Sequence, residues 1–67
     1  MMEIELNGAP HRISENQQLQ ELIVSLALTN QMLAVAVNRE VVPRPKWPHT
    51  VLQVGDRVDI VRAIGGG

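Results

Sequence analysis

Two histidines (His11 and His49), four hydroxyl residues (Ser14, Ser25, Thr29 and Thr50) and the pair Asp56 and Asp59 are the side chains of this 67-residue sequence that most readily suggest chemistry. The histidines stand alone in edge-like or loop-like surroundings, where a solvated ring is the ordinary outcome. No serine or threonine sits in a motif that marks a nucleophile. Asp56 and Asp59 fall in a turn and a strand without the further oxygen ligands that a hard cation takes. No glycine-rich stretch leads into a helix, so no phosphate cradle is spelled out. Cysteine is absent, which removes disulfides, thiolate metal sites and a cysteine nucleophile. An internal catalytic or metal site is not expected.

The remaining candidate is the end of the sequence, "IVRAIGGG". Glycine loses more backbone freedom on ordering than any other residue, so Gly65, Gly66 and Gly67 contribute nothing to a folded core. Extended, they reach about 10 Å, at roughly 3.3–3.6 Å per residue. Their cross-section is the smallest a chain can have, and such a tail can enter a narrow channel in a partner. It delivers the Gly67 carboxylate, which is ionised at neutral pH. A carboxylate is a poor electrophile and must first be activated. The usual route is attack of its oxygen on the α-phosphate of ATP, giving an acyl-adenylate whose carbonyl then accepts a sulfur or nitrogen nucleophile. The chain is then a substrate, and the chemistry belongs to its partner. The same three residues also fit a frayed terminus that does nothing.

Something must hold that tail. "EIEL" at residues 3–6 alternates polar and apolar, and Asn7–Gly8 is a strong hairpin turn signal. The return strand, "APHRI", contains Pro10, which donates no hydrogen bond and so belongs at a sheet edge. Leu19, Leu22, Ile23 and Leu26 then fall on one face of an amphipathic helix expected from about Gln17 to Leu28. Ser14 and Gln17 have capping-box spacing, with Asn16 as the alternative N-cap. "MLAVAVN" places Leu33, Val35 and Val37 on one strand face and the small Ala34 and Ala36 on the other, where a second element can approach closely. "NRE" turns into a short strand, "VVP", ended by Pro43. "RPKWPHT" reads as a proline-stiffened loop. Pro45 and Pro48 within it have the PxxP spacing of a groove ligand. The plainer and favoured reading has Trp47 fold back over the core, although Trp and Arg are also common interface anchors. After a Gly55–Asp56 turn, the last strand runs from about Arg57 to Ile64. Val58 and Ile60 face one way, and the apolar run "IVRAI" suggests a central strand buried on both faces. A sheet with one helix across one face satisfies this order, making an α+β domain over residues 1–64 with a flexible tail at 65–67.

Composition narrows the function further. Six Lys and Arg against seven Asp and Glu give a formal net charge of −1 with no charge runs. A nucleic-acid binder would show a strongly basic face. The longest apolar stretches, "MLAVAV" and "LIV", are far shorter than the roughly 20 residues of a membrane span, and the start resembles no signal peptide. A monomeric cytoplasmic protein without nucleic-acid or membrane partners is expected. At this length a core supplies only roughly 3–5 kcal/mol of net stability. Trp47 is the only aromatic residue, so Leu, Ile and Val must do most of the packing.

The segment "VAVNREVVPRPKW" (Val35 to Trp47), followed by "LQVGDRVDIVRAIGGG" (Leu52 to Gly67), is similar to the ThiS family, the sulfur carriers of thiamine biosynthesis within the ubiquitin-like β-grasp group. The similarity covers the whole chain, with "ELNG" a weaker match near its start. It implies a mixed sheet of four to five strands with one main helix on one face and with the first and last strands parallel at its centre. It also implies a carrier rather than an enzyme. A ubiquitin-activating-like adenylyltransferase would use ATP to adenylate Gly67. Sulfur drawn from cysteine, by a system such as a cysteine desulfurase, would convert it to a thiocarboxylate. Thiazole synthase would then take that sulfur for the thiazole of thiamine. Gly65 and Gly66 would carry the terminus into each active site, and Ile64, Trp47 and Arg44 are candidate partner contacts. The carrier itself would bind neither cofactor nor metal.

Three other functions share parts of this pattern. The small subunit of molybdopterin synthase also ends in Gly-Gly and carries sulfur, but the short length and "NREVVPRPKW" argue against it. A ubiquitin-like protein modifier begins with the same adenylation. A plain binding domain would lose nothing on removal of Gly66 and Gly67.

Overall fold

Asn7 and Gly8 both take positive φ, 49° and 83°, the geometry of a type I′ turn whose twist matches that of the strands it joins. They connect β1 (Met2–Leu6) to β2 (Ala9–Ile13) in an antiparallel hairpin. The computed structural model describes residues 1–28 and 31–62. Asn38 and Arg39, at φ 52° and 70°, make a second turn of the same kind between β3 (Leu33–Val37) and β4 (Glu40–Val41). The last strand, β5 (Arg57–Arg62), lies between the hairpins. It is parallel to β1, with Leu6 opposite Val58, and antiparallel to β3. The sheet order is β2-β1-β5-β3-β4, so Pro10 lies on an edge strand and the first and last strands form the parallel central pair.

One helix, α1 (Leu19–Ser25), follows the first hairpin and buries Leu19, Leu22 and Ile23. It is shorter than the periodicity suggests, for two local reasons. Residues 14–17 close a turn of their own, with the Ser14 N–H donating to Gln17 Oε1 at 2.9 Å and the Gln17 N–H to Ser14 O at 3.3 Å. The N-cap is therefore Gln18, rather than Ser14 or Asn16, and its N–H donates to Glu21 Oε1 at 3.0 Å. The Leu19 N–H, left over at the helix start, is taken by Thr50 O at 2.8 Å. At the other end Ala27 adopts φ 59°. Its N–H donates to Val24 O and that of Leu28 to Ile23 O, the paired bonds of a Schellman motif.

Residues 44–49 are not an extended loop. Arg44–His49 form a 3₁₀ helix with Pro45 in its first turn, where a missing N–H costs nothing. This winding excludes the extended polyproline conformation that PxxP recognition requires. It also turns Trp47 inward.

The core comprises Ile4, Ile13, Leu19, Leu22, Ile23, Val35, Trp47, Leu52, Val58 and Ile60. All the strand residues among these point to the α1 side. With a single helix available, the opposite face of the sheet stays open, and the expectation that "IVRAI" is buried on both faces fails there: Val61 is 63% exposed and Arg62 is also exposed. The described residues form one layered unit. The proposed division at residue 64 lies outside them.

Candidate functional site

β5 is the element that carries the tail. It pairs with β1 only as far as Val58 and runs on to Arg62 beside β3, with Ala34 opposite Val61 and Leu33 opposite Arg62. On the β1 side, Asn7 takes over where the strand stops, its Oδ1 accepting the Ile60 N–H at 2.8 Å. β5 is thus held on its β1 side as far as Ile60 and on its β3 side as far as Arg62, from where the chain continues toward the glycines. Ile64, Gly65, Gly66 and Gly67 themselves lie outside the described residues.

Two surfaces surround this exit. The first is the open sheet face. Val61 stands there with Ala34 and Ala36 from β3 and with Val41, which is 73% exposed, from β4. These four form an apolar half beside the exit. The other half is charged: Arg57 pairs with Glu5 at 3.6 Å and with Asp59 at 3.3 Å, and Arg12 stands opposite Glu3 in the β1–β2 register. An apolar patch of this kind beside a polar border is the usual anatomy of a protein-binding surface.

The second surface lies on the side of Gln31. The Arg44 guanidinium donates from Nη2 to Gln31 O at 2.7 Å, and Arg62 donates from Nη1 to Gln31 Oε1 at 3.1 Å. Arg44 also lies 4.6 Å from the centre of the Trp47 ring, in cation–π distance. Trp47 itself is 1% exposed, and its indole N–H donates to Val42 O at 2.9 Å. Of the candidate partner contacts, Arg44 is therefore at the surface near the exit. Trp47 is a core residue that supports it from below.

The side chains first considered for catalysis are occupied or dispersed. Ser25 Oγ donates to Leu22 O, and Thr50 Oγ1 donates to Lys46 O. Asp56 accepts the Gln53 N–H and the Asn38 side-chain amide, which fixes the turn before β5. Thr29 lies outside the described residues. Among the described residues, no three His, Asp or Glu come together in a metal-binding group. No helix among the described residues is long and apolar enough to cross a membrane.

Sequence reading missed Val41, Val61 and the Arg44–Gln31–Arg62 grouping. A signal for Val61 was present, since Val58 and Ile60 point inward and an apolar residue between or beyond them in alternation must point out. Nothing in the spacing of residues 31, 44 and 62 foretells their meeting.

A mixed five-stranded sheet with a parallel central pair, crossed on one face by a single helix, defines a β-grasp protein, here with the tail on a central strand. The ThiS family model matches residues 4–67, and the chain belongs to that family. It is 30% identical over 66 residues to the sulfur carrier protein ThiS of Escherichia coli, covering 98% of this chain and 100% of that protein. The crystal structure of the thiamine biosynthesis protein ThiS from Geobacter metallireducens superposes with a TM-score of 0.84 at 29% identity, covering 98% of this chain and 100% of that one. A thiazole synthase of Magnetococcus marinus is 38% identical over 66 residues, 98% of this chain. The chain spans only 20% of that protein's length.

Proposed function

We propose that this chain is a sulfur carrier for the thiazole part of thiamine and acts as a protein co-substrate without catalysis of its own. The observation that carries this reading is the full-length similarity to the sulfur carrier protein of Escherichia coli, together with a family match that runs to Gly67. An adenylating enzyme joins the Gly67 carboxylate to AMP from ATP and releases pyrophosphate. A sulfide equivalent from a cysteine-derived donor, such as a desulfurase, displaces AMP and leaves a thiocarboxylate. Thiazole synthase takes the sulfur and the carrier is reused. The similarity to a thiazole synthase in a longer chain supports that enzyme as the acceptor. ATP is bound by the partner, and the carrier works as a monomer in the cytoplasm.

In this reading the adenylating enzyme seats on the open sheet face, against Ala34, Ala36, Val41 and Val61, and draws Gly65–Gly67 into its active site. The absence of cysteine means that the only place this chain can hold transferable sulfur is its end.

The deciding experiment is the intact mass of the protein from its own cells, beside a variant lacking Gly67. A species heavier by exchange of one oxygen for sulfur, sensitive to thiol alkylation and absent from the variant, is expected. Unmodified mass alone, even after incubation with ATP, a sulfur source and the adenylating enzyme, overturns the proposal. Stable conjugates resistant to reductant would instead indicate a protein modifier.

A further inference from the structure

We infer that Asn7 is a positioning residue for activation of the tail: by holding β5 at Ile60 it fixes the root from which Gly65–Gly67 are presented to the adenylating enzyme; this rests on the carrier reading above. β5 outruns both of its neighbours, and at each overrun an asparagine side chain stands in for missing backbone. β3 ends at Val37, opposite Val58, and Asn38 Oδ1 accepts the N–H of Arg57 at 3.0 Å. β1 ends at Leu6, also opposite Val58, and Asn7 Oδ1 accepts the N–H of Ile60 at 2.8 Å. Both asparagines are the first residues of turns that impose positive φ, which Asn tolerates. The same device thus closes the strand on the β3 side at its start and on the β1 side toward its end.

The two caps differ in what backs them up. At the start of β5 the Asn38 N–H also donates to Arg57 O at 2.7 Å, and Asn38 Nδ2 donates to Asp56 Oδ1 at 3.1 Å. Asp56 in turn takes the Gln53 N–H at 2.8 Å. Loss of one bond there leaves the others. Toward the end of β5 the Asn7–Ile60 bond is the last on the β1 side among the described residues, and beside it lies a cavity of about 310 Å³ lined by Leu6, Asn7, Leu26, Leu28, Ile60 and Arg62. Without that bond the two-sided hold on β5 retreats from Ile60 to Val58, roughly 7 Å of strand.

Threading is the step that feels this. Gly67 follows Ile60 by seven residues, at most about 25 Å of extended chain. An enzyme seated against Val61 sits beside the same strand end, and a fixed root limits the directions in which the tail sets out. A root held only by β3 widens that range. The added freedom must be given up again when the Gly67 carboxylate is aligned with the α-phosphate of ATP. The loss falls after docking, so it appears in the rate at saturation and not in the concentration needed to reach it.

The test measures pyrophosphate release by the adenylating enzyme against carrier concentration, with folding of each variant checked by circular dichroism and with hydrogen exchange read at the Ile60 amide. Asn7→Gly keeps the positive φ of the turn and removes the acceptor; kcat should fall about five- to tenfold with KM within about twofold. Asn7→Asp, which restores an acceptor at the same place, should recover most of the loss. Asn38→Gly, the same change at the other end of β5, should lower stability yet leave kcat within about twofold, so a general loss of stability is separated from loss of the root. The wild-type Ile60 amide should exchange at least about tenfold more slowly than an exposed amide. Unchanged kcat in Asn7→Gly, a rise in KM alone, an equal fall in Asn38→Gly, or an unprotected wild-type Ile60 amide, which needs no variant to fold, overturns the positioning role while the carrier reading stands. No pyrophosphate release from the wild-type chain overturns the carrier reading and the positioning role with it.

Discussion

Asn7 Oδ1 accepts the backbone N–H of Ile60 at 2.8 Å, so a residue of the first turn completes the hydrogen bonding of the last strand. β1 ends at Leu6, and without Asn7 the part-buried Ile60 N–H, on the β1 side of a central strand, would have no acceptor there. Asn also tolerates the positive φ of 49° that the turn imposes. Asn7→Ala should therefore lower stability by about 1–3 kcal/mol, mainly through an unsatisfied donor. Urea unfolding followed by circular dichroism measures this, and a loss below about 0.5 kcal/mol would mean that water replaces the side chain without cost.

The turn that places Asn7 was legible locally, although the bond it makes reaches 53 residues along the chain. Asn7–Gly8, the Leu19, Leu22 and Ile23 stripe and the edge position of Pro10 follow from chemistry within a few residues, and the structure places each as expected. What was not legible depended on contacts distant in sequence. Three prolines in "PRPKWP" suggest an extended loop, yet burial of one indole winds the segment into a 3₁₀ turn. Ala27 gives no sign of ending a helix, and it does so because Leu28 packs back against the core. Around the exit, the family pattern pointed to Arg44, but only the fold shows that Arg62 joins it on Gln31.

Trp47 carries a large share of a small core. Its ring is 1% exposed and its N–H bonds Val42 O. Trp47→Ala should cost about 3–5 kcal/mol, comparable to the roughly 3–5 kcal/mol that a core of this size supplies, so this variant should be largely unfolded at 25 °C. Trp47→Phe, which loses volume and the hydrogen bond but keeps a ring, should stay folded with a urea midpoint clearly below wild type. Far-ultraviolet circular dichroism separates the two outcomes, and a well-folded Trp47→Ala would remove Trp47 from the core account.

The two type I′ turns differ in a way that stability can read. The first has Gly8 at its second position and the other has Arg39, at φ 70°. The left-handed conformation costs an L-residue about 1–2 kcal/mol. The greater freedom of glycine in the unfolded chain offsets about 0.5–1 kcal/mol of that. Arg39→Gly should then stabilise by about 0.5–1 kcal/mol. Gly8→Ala should destabilise by a similar amount even though a Cβ there would meet no atom within 4 Å, because the cost is conformational and not steric. Both are read as shifts in urea midpoint, and a lower midpoint for Arg39→Gly would contradict the turn assignment.

The open sheet face separates a folding role from a binding role within one strand. Val58 and Val61 are both on β5, but Val58 is fully buried and Val61 is 63% exposed. Val58→Thr puts a hydroxyl in the core with no partner and should cost about 1–3 kcal/mol. Val61→Thr replaces one β-branched residue with another at the surface and should change stability by less than about 0.5 kcal/mol. If the adenylating enzyme seats on this face, Val61→Asp should weaken its binding about tenfold or more while leaving the carrier folded, since an unpaired carboxylate would be desolvated in the interface. Titration calorimetry with the purified enzyme measures the affinity. Wild-type affinity in Val61→Asp would move the docking surface away from the open face of the sheet.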